Sequence, residues 1–168
     1  MPHGAGASRR PYIAHENRRV WLAGCTTNPT GGWVTQQARN LSLDFAEHGA
    51  RFLIRDRDSK YSRSFDEVFR SDGIRTVKTP VRAPKANAIA ERFVRTVRSG
   101  CLDWLLILNH HLERVLRVYV DHYNTQRPHR GLELCPPEPE EDALSSGGEI
   151  HRRDRLGGLI HEYYRAAA

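Results

Sequence analysis

Hydrophobic positions along the chain follow two different spacings, and the changes from one to the other predict a mixed α/β protein. Short apolar-centred runs predict strands at residues 12–14, 18–27, 51–55 and 74–78. Apolar residues three or four positions apart predict amphipathic helices around residues 34–45, 65–69, 89–97 and 112–124. This alternation of strands and helices favours a partly parallel sheet.

Local motifs refine two of these elements. Ser64-Phe65-Asp66-Glu67 has the form of a capping box and predicts that Ser64 is the N-cap of a helix that Gly73 ends. Residues 151–168 predict a basic, tyrosine-containing hairpin that turns at Gly157 and Gly158.

The stretch from Thr79 to Arg98 joins an extended, basic entry to a helix. Pro80 and Pro84 hold the first half extended, and Asn87 is a suitable N-cap. The apolar face of the helix consists of Ile89, Phe93 and Val97. A different, polar face consists of Glu91, Arg95 and Arg98. This stretch alone favours the simple interpretation of an exposed helix with a Glu91–Arg95 ion pair.

A second carboxylate changes that interpretation. Asp56 follows the apolar run 51–55 directly, and 34 residues separate it from Glu91. Open α/β sheets place their ligands just past the carboxyl ends of strands. We therefore predict that Asp56 and Glu91 converge on a common metal position.

Three segments of the chain carry motifs. Two of them surround Asp56 and Glu91, and the third lies downstream of both acids. Around the first acid the motif residues are Asp56, Ser59 and Tyr61, with Asp58 at a position where glycine is common. Around the second they are Pro84, Asn87, Ala88 and Glu91. The third segment, residues 123–132, reads Tyr-Asn-x-x-Arg-Pro-His-x-x-Leu and is followed by Pro136-Pro137. Over roughly residues 18–137 the chain thus resembles the integrase catalytic core of retroviral-type integrases and insertion-sequence transposases.

The resemblance implies an RNase H-like integrase core of the α/β class that carries out metal-dependent strand transfer on DNA. Asp56 and Glu91 would be its catalytic and metal-binding residues, with Mg²⁺ or Mn²⁺ as the cofactor. The cations that could hold DNA phosphates are Arg82, Lys85, Arg95 and Arg98. The expected partners are DNA and a second copy of the chain or another transposase subunit.

The resemblance also implies a first catalytic Asp on the central strand of a five-stranded sheet, upstream of residues 18–27. The first 17 residues contain no Asp, and Glu16 is their only acid. We therefore expect an N-terminally truncated core that lacks this strand, with impaired catalysis and open sheet edges. Asp44, Asp58 and Asp66 are candidate surrogate acids, although each also has a simpler local role.

Composition favours a polyanionic partner. The 168 residues carry 26 Lys and Arg, a net charge of +6 and a pI of about 9.6. Arginine matches phosphate geometry, although a basic protein without such a partner fits the same charge. Cys25, Cys101 and Cys135 have no metal-binding spacing, which indicates a reducing, cytoplasmic environment. No apolar run approaches the roughly 20 residues that cross a membrane.

The expected domain organisation has four segments. They are a basic N-terminal arm at 1–17, the partial core at 18–137, a linker at 138–149 and a basic C-terminal tail at 150–168. Histidines 110, 111 and 122 lack a matched set of metal ligands, so the pattern favours helix-surface positions, and His129 favours a structural or phosphate-facing role. Trp21, Trp33 and Trp104 are predicted to lie in the core.

Three functions are compatible with the sequence. The first is an impaired integrase-type core that acts in DNA integration or transposition. The second is a non-catalytic DNA-binding or transposase-partner module. The third is an active metal nuclease that uses a surrogate acid. DNA cleavage with Mg²⁺ or Mn²⁺ would separate the third from the others, and the DNA upstream of the reading frame would test truncation.

Overall fold

The computed structural model describes residues 8–81, 88–105, 111–139 and 148–165. The chain divides into two compact units, residues 1–12 with 21–93 and residues 13–20 with 94–168. The described strands are β1 (Ser8–Ile13), β2 (Val20–Thr26), β3 (Phe52–Arg55), β4 (Arg75–Lys78), β5 (Ile150–Arg155) and β6 (Ile160–Arg165). The described α-helices are α1 (Gly31–Glu47), α2 (Arg63–Ser71), α3 (Ala88–Gly100) and α4 (Leu112–Thr125). The predicted α/β class is confirmed.

The described strands form three two-stranded sheets, β1–β2, β3–β4 and β5–β6, rather than one five-stranded sheet. β3 and β4 are parallel, with Phe52 opposite Arg75 and Ile54 opposite Val77. A parallel pair needs a crossover, and α2 provides it. β5 and β6 are antiparallel. No helix in the described ranges is long and apolar enough to cross a membrane.

Aromatic packing builds the core of the first unit. α1 begins at Thr30, whose side chain accepts a hydrogen bond from the Trp33 N–H at 3.2 Å. The buried core residues are Val34, Ala38, Phe45, Leu53, Phe65, Phe69 and Ile74. The centroid of the Phe45 ring lies 5.4 Å from the ring centroid of Tyr12, 4.9 Å from that of Trp21 and 5.8 Å from that of Phe69. One side chain of α1 therefore contacts β1, β2 and α2.

The predicted start of α2 is wrong by two residues. Ser62, not Ser64, is the N-cap, and its side chain accepts a hydrogen bond from the Phe65 N–H at 3.4 Å. Ser64 is instead an exposed residue of the first turn. Phe65 and Phe69 are completely buried. The buried residues Phe65 and Phe69 agree with the sequence pattern, whereas the predicted N-cap is wrong because a second serine lies two residues upstream.

In the second unit, α4 buries one apolar face whose members are Leu112, Leu116, Tyr119, Val120 and Tyr123. Next to this face, the Asn124 side chain is bonded to the backbone of Val20. Its Oδ1 accepts from the Val20 N–H at 2.9 Å, and its Nδ2 donates to the Val20 carbonyl at 2.9 Å. A single buried amide thus satisfies both backbone groups of one residue, as a neighbouring strand would.

Two further predictions for this unit have opposite outcomes. The hairpin β5–β6 turns where expected, with φ values of +70° at Gly157 and +89° at Gly158, a region that glycine adopts without strain. The prediction that Trp104 lies in the core is wrong, because its side chain is 70% exposed. Its indole N–H donates to the Ser99 carbonyl at 2.7 Å, which gives the ring a local anchor at the surface.

We expect Asn124→Ala to lower the free energy of unfolding by about 2–5 kcal/mol, because two buried backbone groups of Val20 would lose their partner. Chemical denaturation of the full chain measures this change. Asn40→Ala is the matched control, since Asn40 is exposed on α1 and bonds only to Gln36 in the hydrogen bonds described for it. Equal effects of the two substitutions would contradict the prediction.

Candidate active site

Asp56 lies directly after the carboxyl end of β3. Its side chain is exposed, and Oδ1 accepts a hydrogen bond from the Asp58 N–H at 3.0 Å. This Asx-type turn fixes the carboxylate against its own loop. The sequence prediction that Asp56 follows a strand end is confirmed.

A buried arginine holds this loop in place. Arg55, the last residue of β3, donates from Nε and Nη2 to the two Asp66 carboxylate oxygens at 2.8 and 2.6 Å. Its Nη1 donates to the Asp56 carbonyl at 3.1 Å. The Arg55 side chain is 4% exposed and Asp66 is 28% exposed. The fork therefore joins the backbone beside Asp56 to α2.

The charge state of Asp66 follows from this contact. Burial acts to raise the pKa of the Asp66 carboxyl, but the hydrogen bonds and positive charge of Arg55 outweigh burial, so the pKa lies below its ordinary value. Asp66 is therefore ionised at neutral pH and neutralises a guanidinium that has almost no access to water.

A second arginine connects the same loop to the next strand. Arg57 donates from Nε to the carbonyl of Thr79 at 3.0 Å, just beyond the end of β4. Thr79 is buried and begins the stretch that leads to Glu91. The loop after β3 and the exit from β4 are thus fixed to one another, as expected for neighbouring parallel strands whose carboxyl ends share an edge.

Glu91 lies in the first turn of α3 and is exposed, and it belongs to the same unit as Asp56. Phe93 and Val97 are buried, which confirms the predicted apolar face. Arg95 and Arg98 are exposed on this helix, and no ion pair is described between Glu91 and Arg95. Arg98 lies 3.7 Å from the Asp103 carboxylate. A carboxylate near a helix N-terminus is therefore followed by accessible cations.

Several predicted site residues cannot be placed. Arg82, Lys85, Pro84 and Asn87 lie outside the described residues. The described residues contain no group of three or more His, Cys, Asp or Glu side chains that could hold a metal ion. The convergence of Asp56 and Glu91, a pair rather than a group of three, stays a prediction.

The candidate surrogate acids have local partners. Asp44 accepts a hydrogen bond from the Trp21 indole N–H at 2.6 Å, and Asp58 accepts one from the Lys60 N–H at 2.9 Å. Asp66 pairs with Arg55, as described above. These contacts agree with the simpler roles considered from the sequence.

Residues 123–132 have structural roles in the second unit. The ring centroids of His129 and the buried Tyr123 lie 4.5 Å apart, and Nε2 of His129 is 3.3 Å from the Tyr123 carbonyl oxygen. Burial lowers the pKa of His129, with a partial opposing effect of that hydrogen bond. Arg127 donates from Nη1 to the Tyr119 hydroxyl at 3.0 Å. These contacts support the structural interpretation of His129.

The expected surface position of His122 is wrong. Its side chain is 16% exposed, and Nδ1 lies 3.3 Å from the carboxylate of Glu162, which is itself 2% exposed. Burial lowers the pKa of His122, whereas the charge of Glu162 acts in the opposite direction. Sequence reasoning missed Glu162, because the two residues are 40 positions apart in sequence. His111 is exposed as predicted, and His110 lies outside the described residues.

Comparison with known proteins confirms the resemblance. Residues 72–137 match the family described as integrase core domain. That segment includes Glu91 and residues 123–132, whereas Asp56 precedes it. No curated protein matches the chain.

A solved structure gives a second line of similarity. The fold is similar to a chain in the cryo-EM structure of the simian T-cell lymphotropic virus intasome in complex with PP2A regulatory subunit B56 gamma, with a TM-score of 0.56 and 14% identity. The similarity covers 95% of this chain, which spans 65% of the length of that chain. At this identity the likeness supports the fold, and the expected integrase-core fold is confirmed.

We expect Asp66→Asn to lower the free energy of unfolding at pH 7 by about 2–3 kcal/mol, because it leaves the buried Arg55 charge without a carboxylate. The folded-state pKa of Asp66 is depressed, so its contribution is present above the unfolded-state pKa and disappears as pH falls through the folded-state pKa. The difference between wild type and variant should therefore shrink in acid. Denaturation curves across this pH range measure the effect.

Glu67→Gln is the control for this prediction. Glu67 is on the same helix and pairs with Arg70, but both side chains are largely exposed. Exposed ion pairs contribute little to stability, so this variant should unfold like the wild type. A pH-independent loss of stability in Asp66→Asn would show that the ion pair is not its cause.

Proposed function

We propose that this chain acts in DNA integration or transposition as an integrase-core protein that binds DNA and has impaired strand-transfer chemistry. The observation that carries the proposal is the integrase-core match over residues 72–137, within which Glu91 lies in the first turn of α3, a helix that also carries exposed cations. The basic net charge of +6 agrees with a polyanionic partner.

Asp56 and Glu91 are the proposed metal-binding residues. Carboxylate oxygens suit Mg²⁺ and Mn²⁺, and both side chains are exposed to solvent. A bound divalent cation would supply positive charge for the oxygens of a phosphoryl transfer. The chain itself positions Asp56 through the Arg55 and Arg57 contacts of its loop, and it presents Glu91 from the first turn of a helix.

Impairment follows from the number of ligands. Two-metal phosphoryl transfer depends on several carboxylates that fix both ions, because Mg²⁺ binds weakly when water supplies most of its coordination. The motif-matched residues supply two carboxylates, Asp56 and Glu91. We therefore propose that one weakly held cation, rather than an ordered pair, is the state that this chain supports.

DNA contact is proposed for Arg95 and Arg98 on α3, together with Arg82 and Lys85. Arg98 pairs with Asp103, but both side chains are more than half exposed, so this contact is easily exchanged for a phosphate. The intasome named for the similar structure is an assembly, which supports a second copy of the chain or another transposase subunit as partner.

Purified chain incubated with supercoiled DNA and Mn²⁺ should show no nicking or joining above background, because two carboxylates do not order two ions. Gel analysis of the plasmid forms measures both reactions. The chain with an added N-terminal strand that carries an Asp forms the parallel sample, and activity restricted to that sample would support impairment.

Cleavage by the chain alone would contradict impairment if Asp56→Asn or Glu91→Gln abolished it. A surrogate acid would then complete the site. Asp103→Asn is the matched control, since Asp103 is an exposed acid just beyond α3 that lies outside the three motifs and pairs with Arg98.

Replacing Arg82, Lys85, Arg95 and Arg98 together by Ala should weaken duplex binding and flatten its salt dependence. Each lost phosphate contact reduces the slope of log K against log salt by about 0.9. Affinities of the full chain, measured by fluorescence anisotropy over a range of salt concentrations, test this expectation.

The control removes four other exposed cations with the same loss of charge, Arg39, Arg63, Arg114 and Arg117. If both quadruple variants reduce the slope equally, net charge rather than this site determines binding. An unchanged slope in the first variant would place the DNA contact elsewhere on the chain.

A further inference from the structure

The two faces of the β5–β6 hairpin differ in burial. One face carries Ile160, which is 7% exposed, and Glu162, which is 2% exposed. The opposite face, called the outer face here, consists of Ile150, Arg152, Asp154, His161, Tyr163 and Arg165. All six outer-face residues are exposed. The first face, called the anchored face here, also carries the exposed residues His151, Arg153 and Tyr164, so it is buried in part, whereas the outer face is exposed throughout.

Buried charge anchors the hairpin within the second unit. The Glu162 carboxylate accepts from Arg153 at 2.9 and 2.7 Å and from Arg155 at 3.3 Å, and it also faces His122 of α4. Arg155 donates to Asp121 of the same helix at 3.1 Å. The arginines of the anchored face are thus both paired with the buried Glu162 carboxylate, although the Arg153 side chain is half exposed.

The outer face combines an aromatic ring with arginines. Tyr163 is 61% exposed and lies directly opposite Arg152 in the strand register. Arg165 follows two residues later on the same strand, and its Nη1 donates to the Gly148 carbonyl at 3.1 Å. Tyr163, Arg152 and Arg165 therefore occupy adjacent positions on one face of the hairpin.

The acid on this face does not neutralise it completely. Asp154 accepts from His161 at 2.7 Å and lies 3.1 Å from Arg152. Both the Arg152 and Asp154 side chains are about half exposed, and exposed ion pairs exchange readily for other partners. Exchanging Asp154 for a phosphate as the partner of Arg152 would therefore cost little free energy.

We propose that the outer face binds single-stranded nucleic acid, with a base stacked on Tyr163 and backbone phosphates on Arg152 and Arg165. Arginines alone would suit a duplex equally well, but the exposed ring favours bases whose faces are not already stacked in a helix. An acidic protein surface would pair with the arginines but would give the Tyr163 ring no base to stack on. This face consists of other residues than the α3 cations, so the proposal stands independently of the strand-transfer assignment.

The first test compares the full-length chain and its Tyr163 variants on fluorescent oligo-dT and on a duplex of the same length. Tyr163→Ala should weaken oligo-dT binding roughly five- to hundred-fold, whereas Tyr163→Phe should keep it because stacking needs only the ring. Duplex affinity should change far less. Tyr164→Ala is the matched control, since Tyr164 is the neighbouring tyrosine on the anchored face.

The second test measures salt dependence on oligo-dT. Arg152→Gln and Arg165→Gln should each reduce the slope by about 0.7, the value expected for one phosphate of a single strand. If circular dichroism shows that Tyr163→Ala is unfolded, the salt slopes of these two arginine variants test the proposal instead.

Four results would overturn the proposal. Three are unchanged oligo-dT affinity in a folded Tyr163→Ala variant, equal losses in Tyr163→Ala and Tyr164→Ala, and unchanged salt slopes in both arginine variants. The fourth is a loss of affinity confined to the duplex, because Tyr163 would then not stack on unpaired bases.

Discussion

A two-stranded sheet is too narrow to be stable by itself in water, and this constraint governs the described structure. Each of the three strand pairs needs a helix to complete its stability. Phe45 of α1 contacts the rings of Tyr12 and Trp21, which belong to the first pair. α2 forms the crossover of the second pair, and α4 holds the third through Glu162.

These attachments use different physical forces. The first unit relies on apolar burial, supplemented by the Arg55–Asp66 fork at the end of β3. The third pair relies on buried charge, because Glu162 is surrounded by two arginines and His122. A buried carboxylate is costly unless it is paired and hydrogen-bonded, so Glu162 ties the hairpin to one specific geometry rather than to a general apolar surface.

Much of this fold could be predicted from local patterns. Strand and helix positions follow from apolar spacing, and the glycines at 157 and 158 identify the hairpin turn. The start of α2 was misplaced because two serines lie within one helical turn, and only packing of Phe65 decides between them. Trp104 was misassigned because hydrophobicity predicts burial only where a surface exists to cover the ring.

The candidate site was predictable only in part. Asp56 and Glu91 can be found from motif spacing, and their exposure agrees with a role in binding. Asn124 belongs to a motif, but its hydrogen bonds to the Val20 backbone could not be foreseen because the two residues are 104 positions apart in sequence. The His122–Glu162 pair escaped prediction for the same reason, since neither residue carries a local signal for the other.

The burial of the motif residues separates those that maintain the fold from those available for chemistry. Tyr123 and Asn124 are buried; the Tyr123 ring packs against His129 and the Asn124 amide bonds to Val20 inside the second unit, so any loss of activity on their substitution would reflect lost structure. Asp56 and Glu91 are exposed, and Arg95 and Arg98 extend into solvent on α3. A buried motif residue identifies the fold, whereas an exposed one can contact a ligand. The functional argument for this chain therefore rests on the exposed acids and cations, and the family match supports the scaffold that presents them.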